Sequence, residues 1–240
     1  MPARAAIVTG ASRGIGYALA EALGEAGYAL TITARKPERL EQSAEDLRGK
    51  GFEVEHAAAN MADEEAVVEL VRRHRERFGR LDVLVNNAGV GIGATAGEHQ
   101  TKFIDMQLDV NLRAIVIFYR ECLELLRAAG AEHRNALVVN LASMAGKSPS
   151  PWLSVYSATK AAVIAYTQAM NKELNGDGIK SVALCPGFVN TDMSDFIKDT
   201  IAPEQMLSTS DIVAALRFLL AVSPTCVVPE IIFQRPGEAI

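Results

Sequence analysis

The chain has 240 residues, 49% of them apolar and 22% charged, with a formal net charge of −5. That balance is too apolar for a disordered polymer, and the lack of any Gly, Ser or Pro tract of linker length makes one domain over residues 1–240 the expectation. The acidic charge is spread without a basic block, which argues against nucleic acid or a membrane surface as partner, and the first apolar run, Ala5 to Val8, breaks at Gly10, too short for a signal peptide or a membrane span; a cytoplasmic location follows.

Short β-branched runs alternate with amphipathic stretches of helix length. Strands are expected near residues 5–9, 29–34, 53–58, 83–86, 136–141, 181–184 and 227–233, and helices near 14–24, 37–50, 64–78, 101–129, 155–174 and 211–222. The fold class this predicts is α/β: a single-domain Rossmann-type doubly wound fold, with a seven-stranded parallel sheet and helices on both faces. Ligands of such sheets bind outside the carboxyl ends of the strands. Cys122, Cys185 and Cys226 are odd in number, far apart and in apolar segments, as free thiols in a reducing compartment would be. The histidines at 56, 74, 99 and 133 lack metal-ligand spacing, and no metal is expected.

The first strand runs into Gly10-Ala11-Ser12-Arg13-Gly14-Ile15-Gly16 and then a helix. Glycines there let backbone N–H groups approach a pyrophosphate, whose charge the helix dipole also favours. At the end of strand two, where a carboxylate would accept from a free ribose 2′-hydroxyl, the chain has Ala34 followed by Arg35 and Lys36. Together with Arg13 these cations suit a ribose 2′-phosphate, so the expected cofactor is NADP(H). Strand four ends in Asn86-Asn87-Ala88-Gly89, small enough for a cofactor to lie against the backbone.

Strand five ends near Ser143, and Tyr156 and Lys160 follow at i and i+4 on one helix face. Hydride arriving at a carbonyl carbon leaves charge on oxygen, and a phenol beside an ammonium is suited to supply the proton. Ser143 is placed to hold the substrate oxygen, and Asn111 to join a water-borne proton relay. Tyr156 and Lys160 alone would be an ordinary exposed helix pair; the set of four is what carries the reading. Met144, Trp152, Phe188, Met193 and Phe196 lie beside the catalytic strand end or in the loop after strand six, and with Ser143 and Tyr156 they suggest a small, apolar carbonyl or alcohol substrate.

With these motifs in this order, the sequence resembles the classical short-chain dehydrogenase/reductase family from about Ala5 to Thr191. The resemblance implies that Asn111, Ser143, Tyr156 and Lys160 form the catalytic tetrad and that Lys160 also binds the nicotinamide ribose. It further implies that Pro186, Gly187, Val189 and Thr191 cap the nicotinamide, and that basic residues at Arg13 and Arg35 go with NADPH. Two positions depart from the family pattern. Asn60, followed by Met61, stands where the family has an adenine-binding aspartate, and an amide oxygen can still accept there. The segment from Val228 to Gly237 lacks the Asp-Gly-Gly frequent in the family's 3-oxoacyl carrier-protein reductases, which counts against that particular activity. The resemblance implies a homodimer or homotetramer packed through helices 101–129 and 155–174, and the apolar run Ile115 to Phe118 points the same way. A second reading, a lapsed NADP(H)-binding sensor or scaffold, has no reason to keep all four catalytic residue types.

Overall fold

In the computed structural model, which describes residues 4–237, seven strands form one sheet in the order β3-β2-β1-β4-β5-β6-β7, every neighbouring pair parallel. The strands are β1 (Ala5–Thr9), β2 (Ala29–Ala34), β3 (Val54–Ala58), β4 (Val83–Asn86), β5 (Ala136–Leu141), β6 (Ile179–Pro186) and β7 (Glu230–Phe233). The helices are α1 (Gly14–Glu25), α2 (Pro37–Gly49), α3 (Glu64–Phe78), α4 (Thr101–Leu108), α5 (Ala114–His133), α6 (Ser154–Leu174) and α7 (Thr209–Ala221). Period-2 alternation sends successive side chains to opposite faces. Ile7 of β1 and Val138 of β5 join the core under α3, α5 and α6. Their neighbours Ala6, Val8, Leu137 and Val139 join the core under α1, α2 and α7. Both faces are therefore dry, and the strands β1, β2, β4, β5 and β6 are buried along their whole length.

The helix expected as one piece over 101–129 is instead α4, a π-helical turn at Asp109–Arg113, and α5 running on to His133. Strand seven begins at Glu230 rather than 227; Pro229 has no N–H to donate, and the ladder starts after it. Among the described residues no helix is long and apolar enough to cross a membrane. The strand order reverses between β1 and β4, which makes the crevice at their carboxyl ends the place for a ligand.

Candidate active site

The turn after β1 is tight because backbone meets backbone: a Cβ on Gly16 would lie 2.3 Å from Gly10 O and 2.4 Å from Asn87 Nδ2. Any larger residue would push the start of α1 off the sheet. Asn87 Nδ2 donates to Thr9 O at 2.9 Å and Gly10 O at 3.2 Å, and Thr9 Oγ1 accepts from the amides of Asn87 and Ala88. The turn after β4 thus clamps the turn after β1. Arg13 is the N-cap of α1 but its side chain makes no capping hydrogen bond, so among the described residues the first amides of α1 are left to meet an anion.

At the end of β5, Ser143 begins a short 3₁₀ turn, Met144–Gly146, and accepts from Ala145 N at 3.1 Å. A Cβ on Gly146 would fall 2.7 Å from the Lys160 carbonyl carbon, so this turn sits directly on the backbone of α6. Ser143 and Tyr156 line the same end of the cleft. Burial raises the phenol's pKa, and the Ser143 hydrogen bond partly offsets the rise. Lys160 is buried, donates from Nζ to Leu141 O at 2.6 Å, and lies 5.7 Å from the centre of the Tyr156 ring. Burial pushes its pKa down to about 8. In each group, desolvation disfavours the charged form.

Asn111 is fully buried in the π-helical turn. Its Oδ1 accepts from Val90 N at 2.8 Å, and its Nδ2 donates to Val90 O at 2.9 Å and Thr159 Oγ1 at 3.1 Å. The side chain is spent on placing the segment after Gly89 against α6, and it does not line the cleft.

A cleft of about 600 Å³ opens at the reversal of strand order. Its walls include the expected Gly10, Ser12, Arg13, Gly14, Ile15 and Gly16, then Arg35, Asn60 and Met61, then Asn87, Ala88 and Gly89. Ser143, Tyr156, Lys160, Pro186, Gly187, Val189, Thr191 and Met193 complete the far end. Asn60 Oδ1 accepts from Ala62 N at 3.2 Å, closing a local turn. The loop after β6 is anchored by Asn190 N to Leu207 O at 2.9 Å and Leu207 N to Phe188 O at 2.9 Å. Lys36 stands apart as the exposed N-cap of α2, because Pro37 starts the helix there. Met144, Trp152, Phe188 and Phe196 also lie outside the lining. Trp152, at a left-handed φ of 58°, meets Phe196 edge to face at 5.8 Å, and Phe196 meets Phe188 at 6.2 Å, so these rings spend area on one another.

Sequence reasoning missed Lys102, Asp105 and Asp109, which enter the cleft from α4 and the turn after it, and Asp192, which follows Thr191. It also missed Arg39. Asp192 forms an ion pair with Arg13, and Arg39 Nη1 lies 3.4 Å from the same carboxylate oxygen. Nothing in local spacing signals contacts between residues so far apart in the chain.

The short chain dehydrogenase family model matches residues 4–202. The 3-oxoacyl-[acyl-carrier-protein] reductase FabG of Staphylococcus aureus is 35% identical over 206 residues, which is 85% of this chain and 82% of that protein. An alcohol dehydrogenase from Thermococcus sibiricus, solved with 5-hydroxy-NADP, superposes with a TM-score of 0.86 at 32% identity, over 98% of this chain and 99% of that one. A 3-ketoacyl-(acyl-carrier-protein) reductase from Brucella melitensis, solved with NADH, superposes with a TM-score of 0.89 at 27% identity, over 100% and 99%. The match spans the glycine turn, the clamp from β4 and the Ser143–Tyr156–Lys160 cluster alike, and the chain belongs to the short-chain dehydrogenase family.

Proposed function

We propose that the protein is an NADP(H)-dependent oxidoreductase that moves hydride between the nicotinamide and the carbonyl or secondary-alcohol carbon of a small, apolar substrate, with Tyr156 as general acid and base. The observation that carries this is the meeting of Ser143, Tyr156 and Lys160 at one end of the cleft whose other end is the glycine turn. The residues fit a phosphorylated dinucleotide: free amides at the start of α1, and Arg13 and Arg35 on the cleft wall where β2 ends in Ala34. When bound, the reduced nicotinamide supplies the hydride. Tyr156 gives its proton to the substrate oxygen as charge develops there, and the raised phenol pKa keeps that proton available at neutral pH. Ser143 orients the same oxygen by a hydrogen bond. Lys160 carries a positive charge below about pH 8, placed to bind the ribose and to stabilise phenolate once the proton has left. Asn111 holds the Val90 backbone and α6 in register through Thr159.

This reading takes the whole chain as one domain, acting in the cytoplasm as a homodimer or homotetramer. The sheet supports the first point, since β7 from the chain's end pairs with β6, and three unpaired cysteines suit a reducing compartment. The test is a panel of ketones and aldehydes with NADPH, followed by the absorbance of the reduced nicotinamide. Tyr156→Phe should remove nearly all turnover and leave NADPH affinity close to wild type. General acid catalysis is worth about 10²–10⁴-fold, so a variant keeping more than about a tenth of the rate would sink the mechanism.

A further inference from the structure

Two guanidinium groups from different elements converge on one anionic oxygen beside the cofactor cleft. Arg13, on the glycine turn, and Arg39, in the first turn of α2, both reach Asp192 Oδ2. The two elements are tied together, because Ser43 Oγ on α2 lies 3.1 Å from Ser12 O and 3.0 Å from Arg39 O. The arginine pair is therefore a built anion position, and the carboxylate marks where an anionic oxygen sits. Its place is informative: Arg13 lines the cleft, and so do Asp192 and, at the end of β2, Ala34 and Arg35. Arg35 has no ion-pair partner among the described residues.

Each of these ion pairs is weak. The side chains of Arg13, Arg39 and Asp192 are 52%, 51% and 47% exposed, and water and salt screen such pairs. A phosphomonoester brings up to two charges and three acceptor oxygens to the same donors. We propose that Arg39 is a further recognition residue for the ribose 2′-phosphate and that Asp192 competes with that phosphate for Arg13 and Arg39, so that Asp192 sets the preference between phosphorylated and unphosphorylated dinucleotide. The inference rests on the cofactor reading above and adds two residues to it. An unphosphorylated dinucleotide leaves the Asp192 pairs intact and gains nothing from Arg39. A phosphorylated one takes over the arginines and releases Asp192, which adjoins Thr191 in the loop after β6.

The experiment is calorimetric titration of the full chain with NADPH and with NADH at fixed ionic strength, for wild type and for Arg39→Ala, Asp192→Asn, Arg13→Ala and Arg35→Ala. Thermal melts check that each variant is folded. Asp192→Asn should tighten NADPH about two- to tenfold, the range of one or two exposed ion pairs, and leave NADH within about twofold. Arg39→Ala should weaken NADPH about tenfold, with NADH again unchanged. In the Arg39→Ala, Asp192→Asn double variant, measured alongside, the gain from Asp192→Asn should shrink, since half of what the carboxylate competes for is gone. Asp192→Asn weakening both cofactors would mean that the carboxylate straps the loop over either ligand, and would overturn the competition. Arg39→Ala without effect on the NADPH/NADH ratio would remove Arg39 from the site. If Arg13→Ala and Arg35→Ala still change that ratio, only this inference fails; if they too leave it unchanged, the 2′-phosphate reading fails with it.

Discussion

Lys160 shows how burial and charge divide the work between neighbouring residues. Its ammonium donates to the Leu141 carbonyl, not to the phenol, and its pKa is pushed down to about 8 by desolvation. The phenol is pushed the other way, by burial. For reduction, then, the first group to lose its working form as pH rises is the lysine. Its charged form is present below about pH 8 and disappears above it, so NADPH affinity should decline as pH climbs through that value. In Lys160→Ala affinity should be weaker throughout and flat across the same range, while Tyr156→Phe should keep the decline. A wild-type affinity independent of pH from 7 to 9.5, measured by fluorescence titration, would show that Lys160 does not carry this charge in binding. Tyr156, Lys160 and Ser143 were legible in the sequence because an i, i+4 pair on a helix and a strand end are local patterns. The opposed effects of burial were not legible, since they depend on what covers the residues. Arg39 and Asp192 were illegible for a simpler reason: they meet only when the loop after β6 folds back onto the first turns of α1 and α2.

At the scale of elements, the π-helical turn in Asp109–Arg113 has no sequence signature; the segment contains no Pro or Gly to break a helix. The widened turn coincides with tertiary hydrogen bonds, Asn111 satisfying Val90 and Thr159 at once from within it. The contact between α3 and β2 gives an equally specific consequence. His74 of α3 is fully buried, with Nδ1 2.7 Å from Thr31 Oγ1 of β2 and Nε2 2.8 Å from Arg80 O, which makes it a neutral ring with the proton on Nε2. Burial lowers its pKa to about 4, from an ordinary value of 6.5. Between these values the unfolded chain binds a proton that the folded protein does not. Stability from this group is therefore full above about pH 6.5 and is lost as pH falls toward 4, at up to about 1.4 kcal/mol per pH step. In urea unfolding from pH 7 to 4.5, His74→Gln, whose amide can still donate to Arg80 O, should show a shallower acid loss than wild type by about that slope. Identical pH dependence in the two proteins would mean that His74 is protonated in the fold.

For the molecule as a whole, the sheet was the most legible feature, because alternating strand and helix periods admit few topologies once crossovers are right-handed. The apolar surplus that pointed to assembly was read less well. Of the run Ile115 to Phe118, Ile115, Ile117 and Phe118 are core residues, and only Val116 faces outward, at 40% exposure. The outward apolar surface is spread over α4 and the start of α5: Leu108 is 43% exposed and Ile104 partly exposed on α4, while Leu112, in the π-helical turn between them and Val116, packs against the core. Scattered exposed apolar residues need no partner, but Leu108 and Val116, on successive elements of one helical stretch, are a patch that a second copy of the same stretch can cover, and twofold symmetry doubles every contact. The expected result is elution as a dimer or tetramer at micromolar concentration. The double variant Leu108→Glu, Val116→Glu should then become a monomer with unchanged far-UV circular dichroism, because glutamate is a good helix former at an exposed position but places like charges across the patch. A wild-type monomer by light scattering, or an assembled double variant, would move the interface off this helix and leave the catalytic cluster, which lies within one chain, as it stands.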